Sequence, residues 1–341
     1  MTRPTPVSAM RRSSRGLGAG TLAVVLVALG LAGCSTEPVT PATAPVAYVA
    51  LGSGVADPGD RVAVVDTATA RLGHPVTVGT LPAAVALLPG AKYLLVAVAA
   101  QDELVEVSTT TGRVVHRVGV GLEPDAVAVT PDGSLALVAD AGDATVTAVR
   151  LAGFTVGATV PVGRRPVAVA VAPDGSRALV ANFADGTLTP IALPVLIPGP
   201  SVAVGPEPSA VYVASDGASA LVAGFQTSSL TPVALPGLAV GAAVPIGANP
   251  TGIAAAPGSP IAWVSAGDGV TPVFVATRQV GNPVPVGAPA QCVAVAPDGH
   301  VWVGTRSGTL VEVDPSRGRV VRTVVLDGLP AAVVISPAPK G

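Results

Sequence analysis

The sequence predicts an all-β protein made of one short unit repeated seven times around a closed ring, and three observations carry that prediction. Seven prolines, Pro82, Pro124, Pro166, Pro208, Pro250, Pro289 and Pro330, recur at intervals of 42, 42, 42, 42, 39 and 41 residues, the mark of an internal repeat. Each proline opens an alternating Val/Ala run that in most copies closes on a Pro-Asp-Gly-like turn. Asp-Gly between alternating apolar runs signals a hairpin, because glycine accepts positive φ and aspartate bonds its own turn backbone. Finally, hydrophobic residues make up 50% of the chain but aromatics only 3%. Small apolar side chains broken every few residues by Gly and Pro favour many short strands over helices.

The N-terminal segments come first in chain order. Residues 1–15 carry Arg3, Arg11, Arg12 and Arg15 with no acid, and an apolar stretch follows over 17–31. This predicts a secretory signal, too short for a comfortable membrane span. The stretch ends in Leu31-Ala32-Gly33-Cys34, which resembles the lipobox of bacterial lipoproteins. The resemblance implies cleavage before Cys34 once lipid has been attached to its sulfur. An ordinary cleaved signal or an uncleaved anchor is the other reading. The expected organisation is a lipoprotein signal over 1–33, a Pro/Thr-rich tether over 34–45 and a folded domain over 46–341, extracytoplasmic and held to the membrane through Cys34 alone. Loss of the signal takes four of 19 basic residues and leaves 15 against 21 acidic ones. A mildly acidic chain without basic clusters argues against nucleic-acid binding. Cys292, the one other cysteine, has no disulfide partner once Cys34 carries lipid.

The repeat that starts at Pro124 shows the unit most clearly. Residues 125–129 alternate Val and Ala and run into Thr130-Pro131-Asp132-Gly133-Ser134. A second strand covers 135–139, the turn Asp140-Ala141-Gly142-Asp143 leads to a third over 145–151, and a looser turn leads to a fourth over 158–162. Four short antiparallel strands in a repeat of about 40–45 residues form the pattern of a propeller blade. At the ends, one strand after Pro330 (331–336) is matched by three near the N-terminus (47–51, 61–66 and 75–79) that lack an innermost partner. Together they complete one blade. The prediction is a seven-bladed β-propeller whose ring closes through this shared blade, removing the open edge. Packing of blades face to face, Val against Ala, accounts for the positive hydropathy without a membrane.

The unit resembles the YVTN family of bacterial β-propellers over roughly residues 47–336. The resemblance rests on Pro-x-Ala-Val-Ala-Val-x-Pro-Asp-Gly, on strand ends such as Leu137-Val138-Ala139-Asp140 and Leu179-Val180-Ala181-Asn182, and on the following Asp143-Ala144-Thr145-Val146 and Asp185-Gly186-Thr187-Leu188. The Tyr-Val-Thr-Asn string itself is absent.

Propeller ligands usually sit at the channel mouth, on the face of the loops that lead into the innermost strands. The residues before the seven prolines are Leu81, Glu123, Arg165, Glu207, Asn249, Ala288 and Leu329. With their neighbours they form a contiguous polar arc of Glu123, Asp125, Arg164, Arg165, Glu207, Asn249 and Gln291. One reading is a lopsided funnel for a small polar ligand or a partner's side chain. The other is that Glu123, Arg165 and Glu207 pair with one another across adjacent loops.

Other polar residues have structural readings. Asp102, Asp143, Asp185 and Asp268 at the second turns, and Asp132, Asp174, Asp216 and Asp298 in the first hairpins, are expected to bond local turn amides rather than a metal. His74, His116 and His300 do not converge, and no zinc, nucleophile-elbow or phosphate-loop spacing is present. Cys292 reads as a small buried hydrophobe. The sequence therefore favours a non-catalytic, monomeric binding scaffold for a protein, peptide or glycan of the envelope, with no cofactor or metal. The alternative is a lactonase-like or lyase-like enzyme at the channel mouth, since propellers resembling bacterial lactonases hydrolyse cyclic esters there, generally with histidine, glutamate or a bound metal.

Overall fold

Each repeat folds as its alternation dictates. In a computed structural model describing residues 44–52, 59–267 and 269–337, the unit from Pro124 is a four-stranded antiparallel meander: Pro124–Val129, Leu135–Asp140, Thr145–Arg150 and Thr155–Pro161. Seven such sheets are present. Consecutive innermost strands touch, and the last, Leu329–Ser336, touches the next blade's Pro82–Leu87, so the ring is closed. The fold is a seven-bladed β-propeller. The proposed signal, Cys34, most of the tether and Asp268 lie outside the described residues.

Closure is made by the predicted shared blade, here blade 1. Leu329–Ser336 pairs antiparallel with Val46–Gly52, which pairs with Arg61–Asp66. The expected outer strand over 75–79 is instead two short pieces, Arg71–Leu72 and Val76–Thr77. On the seam between blade 1 and its neighbour blade 7, Ala47, Val49 and Leu51 pack with Trp302 and Leu310 in one buried cluster. The same Val/Ala interdigitation recurs between other blades, as where Leu95 and Ala97 meet Val127 and Val138. At about 25 cal/mol per Å² of apolar area, these shared faces stabilise the ring, and among the described residues the one cysteine, Cys292, is free.

A β-bulge follows the register proline. Pro124 lies opposite Asp140, whereas Ala126 lies opposite Ala139, leaving Asp125 as the extra residue. The corresponding bulges leave out Ala83, Val167, Ser209, Gln291 and Ala331. In blade 7 the residue opposite the end of the second strand is Ala290, facing Thr305, so Pro289 stands one place ahead of the register. A buried alanine replaces the buried proline there, and counted to Ala290 the last two intervals both become about 40 residues, so the slip accounts for one residue of the shortening.

Blades 4 to 6 share with blade 1 a shortened outer strand, and in these three a proline stands beside it. Their third strands carry Pro190, Pro232 and Pro272, which lack the N–H needed for a ladder bond. Their carbonyls accept from the amides of Gly199, Gly241 and Gly281, each at 2.8 Å. The outermost strand is accordingly cut to two-residue pieces such as Ile197–Pro198 and Val202–Ala203, compared with seven residues in Arg113–Gly119 or Arg319–Val325.

Candidate functional site

Backbone bonds place two sets of loops on one face of the ring. The amides of Ala99, Ala141, Phe183, Phe225 and Arg306, which open the turns after the second strands, donate to the carbonyls of Leu81, Glu123, Arg165, Glu207 and Pro289 at 2.9–3.0 Å. Pro289, not Ala288, therefore belongs with the lead-in residues. Leu81, Glu123, Arg165, Glu207 and Asn249 all hold a left-handed backbone, with φ of 58°, 51°, 51°, 50° and 50°. That conformation costs a non-glycine residue about 1–2 kcal/mol. In these five blades the lead-in residue keeps the same backbone conformation while its side chain differs.

Those side chains have separate fates. Arg164 is held by Asp185, which accepts its Nε at 2.6 Å and its backbone amide at 2.7 Å. Asn249 donates through Nδ2 to the Phe225 carbonyl at 3.3 Å. Gln291 lies across the ring, where its Oε1 accepts from Arg306 Nε at 2.8 Å in a hollow of about 410 Å³ that Thr305, Leu329 and Pro330 help to line. Glu123 is exposed. Asp125, at the bulge, is half-buried. Burial pushes its carboxyl up, the Arg165 charge pulls it down and Glu123 pushes it up again, so these three groups share one electrostatic neighbourhood.

Arg165 and Glu207 meet differently. The Arg165 guanidinium lies over the Phe183 ring, 4.6 Å from its centroid, an arrangement stabilised by the ring quadrupole. Both residues line a cleft of about 620 Å³ between blades 4 and 5, bounded by the 183–186 turn, by Ala203, Gly205 and Pro206, and by Gln226. Gly186 allows this close approach. Its φ is +67°, and a Cβ there would come within 2.9 Å of the Gly205 carbonyl. Among the described residues neither Arg165 nor Glu207 forms an ion pair within 4.0 Å, so mutual pairing of rim charges does not occur at this cleft.

The second-turn aspartates also differ from expectation. Asp143 accepts from the Leu122 amide, Asp102 from Glu123 and Asp185 from Arg164, each 21 residues away. They clamp the lead-in loops and do not serve only their own turns. The first-hairpin aspartates are local as expected: Asp132, Asp174, Asp216 and Asp298 accept from the amide two residues on. Elsewhere His116 and His300 bond the buried Glu106 and Glu312, and Cys292 is buried with its thiol pushed up to about 12 by burial. Among the described residues no three His, Cys, Asp or Glu side chains form a metal-holding group. Phe183, Phe225, Gln226 and Arg306 were not singled out from the sequence. Comparing the residue after each second strand, repeat by repeat, exposes three of them.

No family model matches the chain, and no curated protein matches it. Solved structures do. Hydrazine synthase of Kuenenia stuttgartiensis superposes with a TM-score of 0.70 at 18% identity, over 76% of this chain and 91% of that one. A functionally unknown protein of Desulfotomaculum acetoxidans DSM 771 gives 0.73 at 16%, over 86% and 99%. A provisional 6-phosphogluconolactonase of Bacteroides uniformis ATCC 8492 gives 0.71 at 14%, over 86% and 100%. At these identities the likeness establishes the propeller fold alone.

Proposed function

We propose that this chain is a lipid-anchored, extracytoplasmic propeller of the YVTN type that acts as a non-catalytic binding scaffold through its funnel face. The observation that carries the reading is the polar arc itself. On a lead-in backbone that repeats almost unchanged, Glu123, Arg165 and Glu207 occupy equivalent positions of three consecutive blades. Arg165 links the other two: its charge and that of Glu123 both act on Asp125, and it lines one cleft with Glu207. A rigid ring that varies only at its loop tips suits recognition of a protein, peptide or glycan of the envelope. The lipid on Cys34 would fix the ring near the membrane, each buried methylene contributing about 0.8 kcal/mol. The test is capture from envelope extracts. A triple variant, Glu123→Gln, Arg165→Gln and Glu207→Gln, is expected to keep its melting temperature and lose the captured partner; undiminished capture sinks the reading.

One observation favours an enzyme as a second reading. Asp125 is a half-buried carboxyl at the mouth whose pKa is raised chiefly by burial, the direction in which a carboxyl must move to serve as a general acid or base. A lactonase-like hydrolase would use it beside Arg165. Hydrolysis of a simple lactone by the purified protein, abolished by Asp125→Asn, would replace the scaffold reading.

A further inference from the structure

The two unpaired charges in the blade 4/5 cleft specify a ligand more narrowly than the funnel as a whole. Three ionisable residues line it: Arg165, Asp185 and Glu207. Asp185 is already neutralised by Arg164, which leaves one cation and one anion facing the same space without pairing. Each has a reason to stay where it is. The Arg165 guanidinium carbon sits over the Phe183 ring, a contact that uses none of its N–H groups and leaves them to donate to a carboxylate. Glu207 stands one repeat on, in the same left-handed conformation, and accepts hydrogen bonds but donates none. Ala203, Gly205 and Pro206, which also line the cleft, carry no charge.

We infer that this cleft binds a zwitterion of the amino-acid type, a free amino acid or a short peptide, with its carboxylate on Arg165 and its ammonium on Glu207. The inference rests on the binding-scaffold reading and names the ligand chemistry of that same face. A purely anionic ligand would leave Glu207 unanswered and would meet the carboxylate of Asp125, which already feels the Arg165 charge. A purely cationic one would leave Arg165 unanswered. The zwitterion satisfies both and adds no net charge.

Titration calorimetry on the full mature protein tests it with L-alanine, L-alanyl-L-alanyl-L-alanine, the C-amidated tripeptide and the N-acetylated tripeptide. Trialanine is expected to bind, with alanine comparable if the site takes a free amino acid and weaker if it takes a peptide. Amidation and acetylation should each weaken binding at least about tenfold, as loss of a charge-assisted hydrogen bond does. Arg165→Gln should bind weakly and become indifferent to amidation, and Glu207→Gln indifferent to acetylation. Arg165→Lys, which keeps the charge without the planar stack, replaces the glutamine variant should that one not fold. No heat from trialanine or alanine at millimolar concentration overturns the inference, as does undiminished sensitivity to amidation and acetylation in the variants. If neither zwitterion binds while the triple variant still loses envelope capture, the zwitterion assignment fails and the scaffold reading stands.

Discussion

Asp140 and Asn182 occupy the same place at the ends of second strands in adjacent blades, and each reaches two threonine hydroxyls on the third strand. Asp140 accepts from Thr145 at 3.1 Å and from Thr147 at 2.7 Å, whereas Asn182 donates through Nδ2 to Thr187 at 3.0 Å and to Thr189 at 2.7 Å. One hydroxyl pair serves an acid or an amide by reversing the sense of the bonds. Neither side chain is exposed.

The acid carries a penalty that the amide does not. Burial raises the Asp140 carboxyl from 3.8 to about 6, against the lowering effect of the two threonines and the Gly121 amide. Between those values the folded protein holds a proton at Asp140 that the unfolded chain has released, so the contribution of this one group is most favourable below pH ~4 and is lost as pH rises through about 6. Asp140→Asn is expected to stabilise the protein at pH 7.5 by up to about 3 kcal/mol and to flatten the pH dependence between 4 and 6. Urea unfolding at several pH values checks both effects. Unchanged stability at pH 7.5 contradicts the assignment.

Two glycines at neighbouring positions separate steric need from backbone freedom. A Cβ on Gly121 would lie 2.6 Å from Asp140 Cγ, whereas a Cβ on Gly119 would meet nothing within 4 Å. Neither glycine has positive φ. Gly121→Ala should destabilise by about 1–3 kcal/mol, and Gly119→Ala should stay within about 0.5 kcal/mol of wild type. Thermal melts of the two variants decide it.

The closing strand is as necessary as any interior one. Removing residues 329–341 strips blade 1 of its innermost strand and opens an edge along Val46–Gly52. A domain with a typical margin of about 5–15 kcal/mol is not expected to survive that loss. The truncated chain should aggregate or lose its cooperative melt, as read by size exclusion and calorimetry. A monomer with a sharp transition would show that closure contributes little.

The anchor is tested by chemistry on one sulfur. Cys34→Ser is expected to abolish incorporation of labelled fatty acid and to shift the protein from the membrane to the soluble fraction. Retention in the membrane fraction would assign the attachment elsewhere.

The ring was legible in the sequence because hairpin chemistry and the Val/Ala period repeat with the blade, and the unmatched strands at the two ends revealed the shared blade. The lead-in loops were legible through their prolines, but residue identity misled where position mattered. Pro289 looks like the other six and sits one place early, because the structure keeps register by the bulge and the buried residue beside it. The bonds from Asp102, Asp143 and Asp185 to amides 21 residues away were hidden because aspartate suits a local turn equally well. Pairing of Arg165 with Phe183, rather than with Glu123 or Glu207, depends on the turn after the second strand. Only the folded geometry brings that turn beside the lead-in loop.

The central claim, recognition through the funnel face, is tested most directly by hydrogen exchange on the protein with and without its captured envelope partner. Slowed exchange is predicted in the lead-in loops and second turns of blades 3 to 5, at residues 121–125, 141–144, 163–167, 183–187, 205–208 and 225–228. No change is expected in the first hairpins on the opposite face, at 130–134 and 172–176. Protection confined to those hairpins or to the outer strands, with the funnel loops unchanged, would contradict the account.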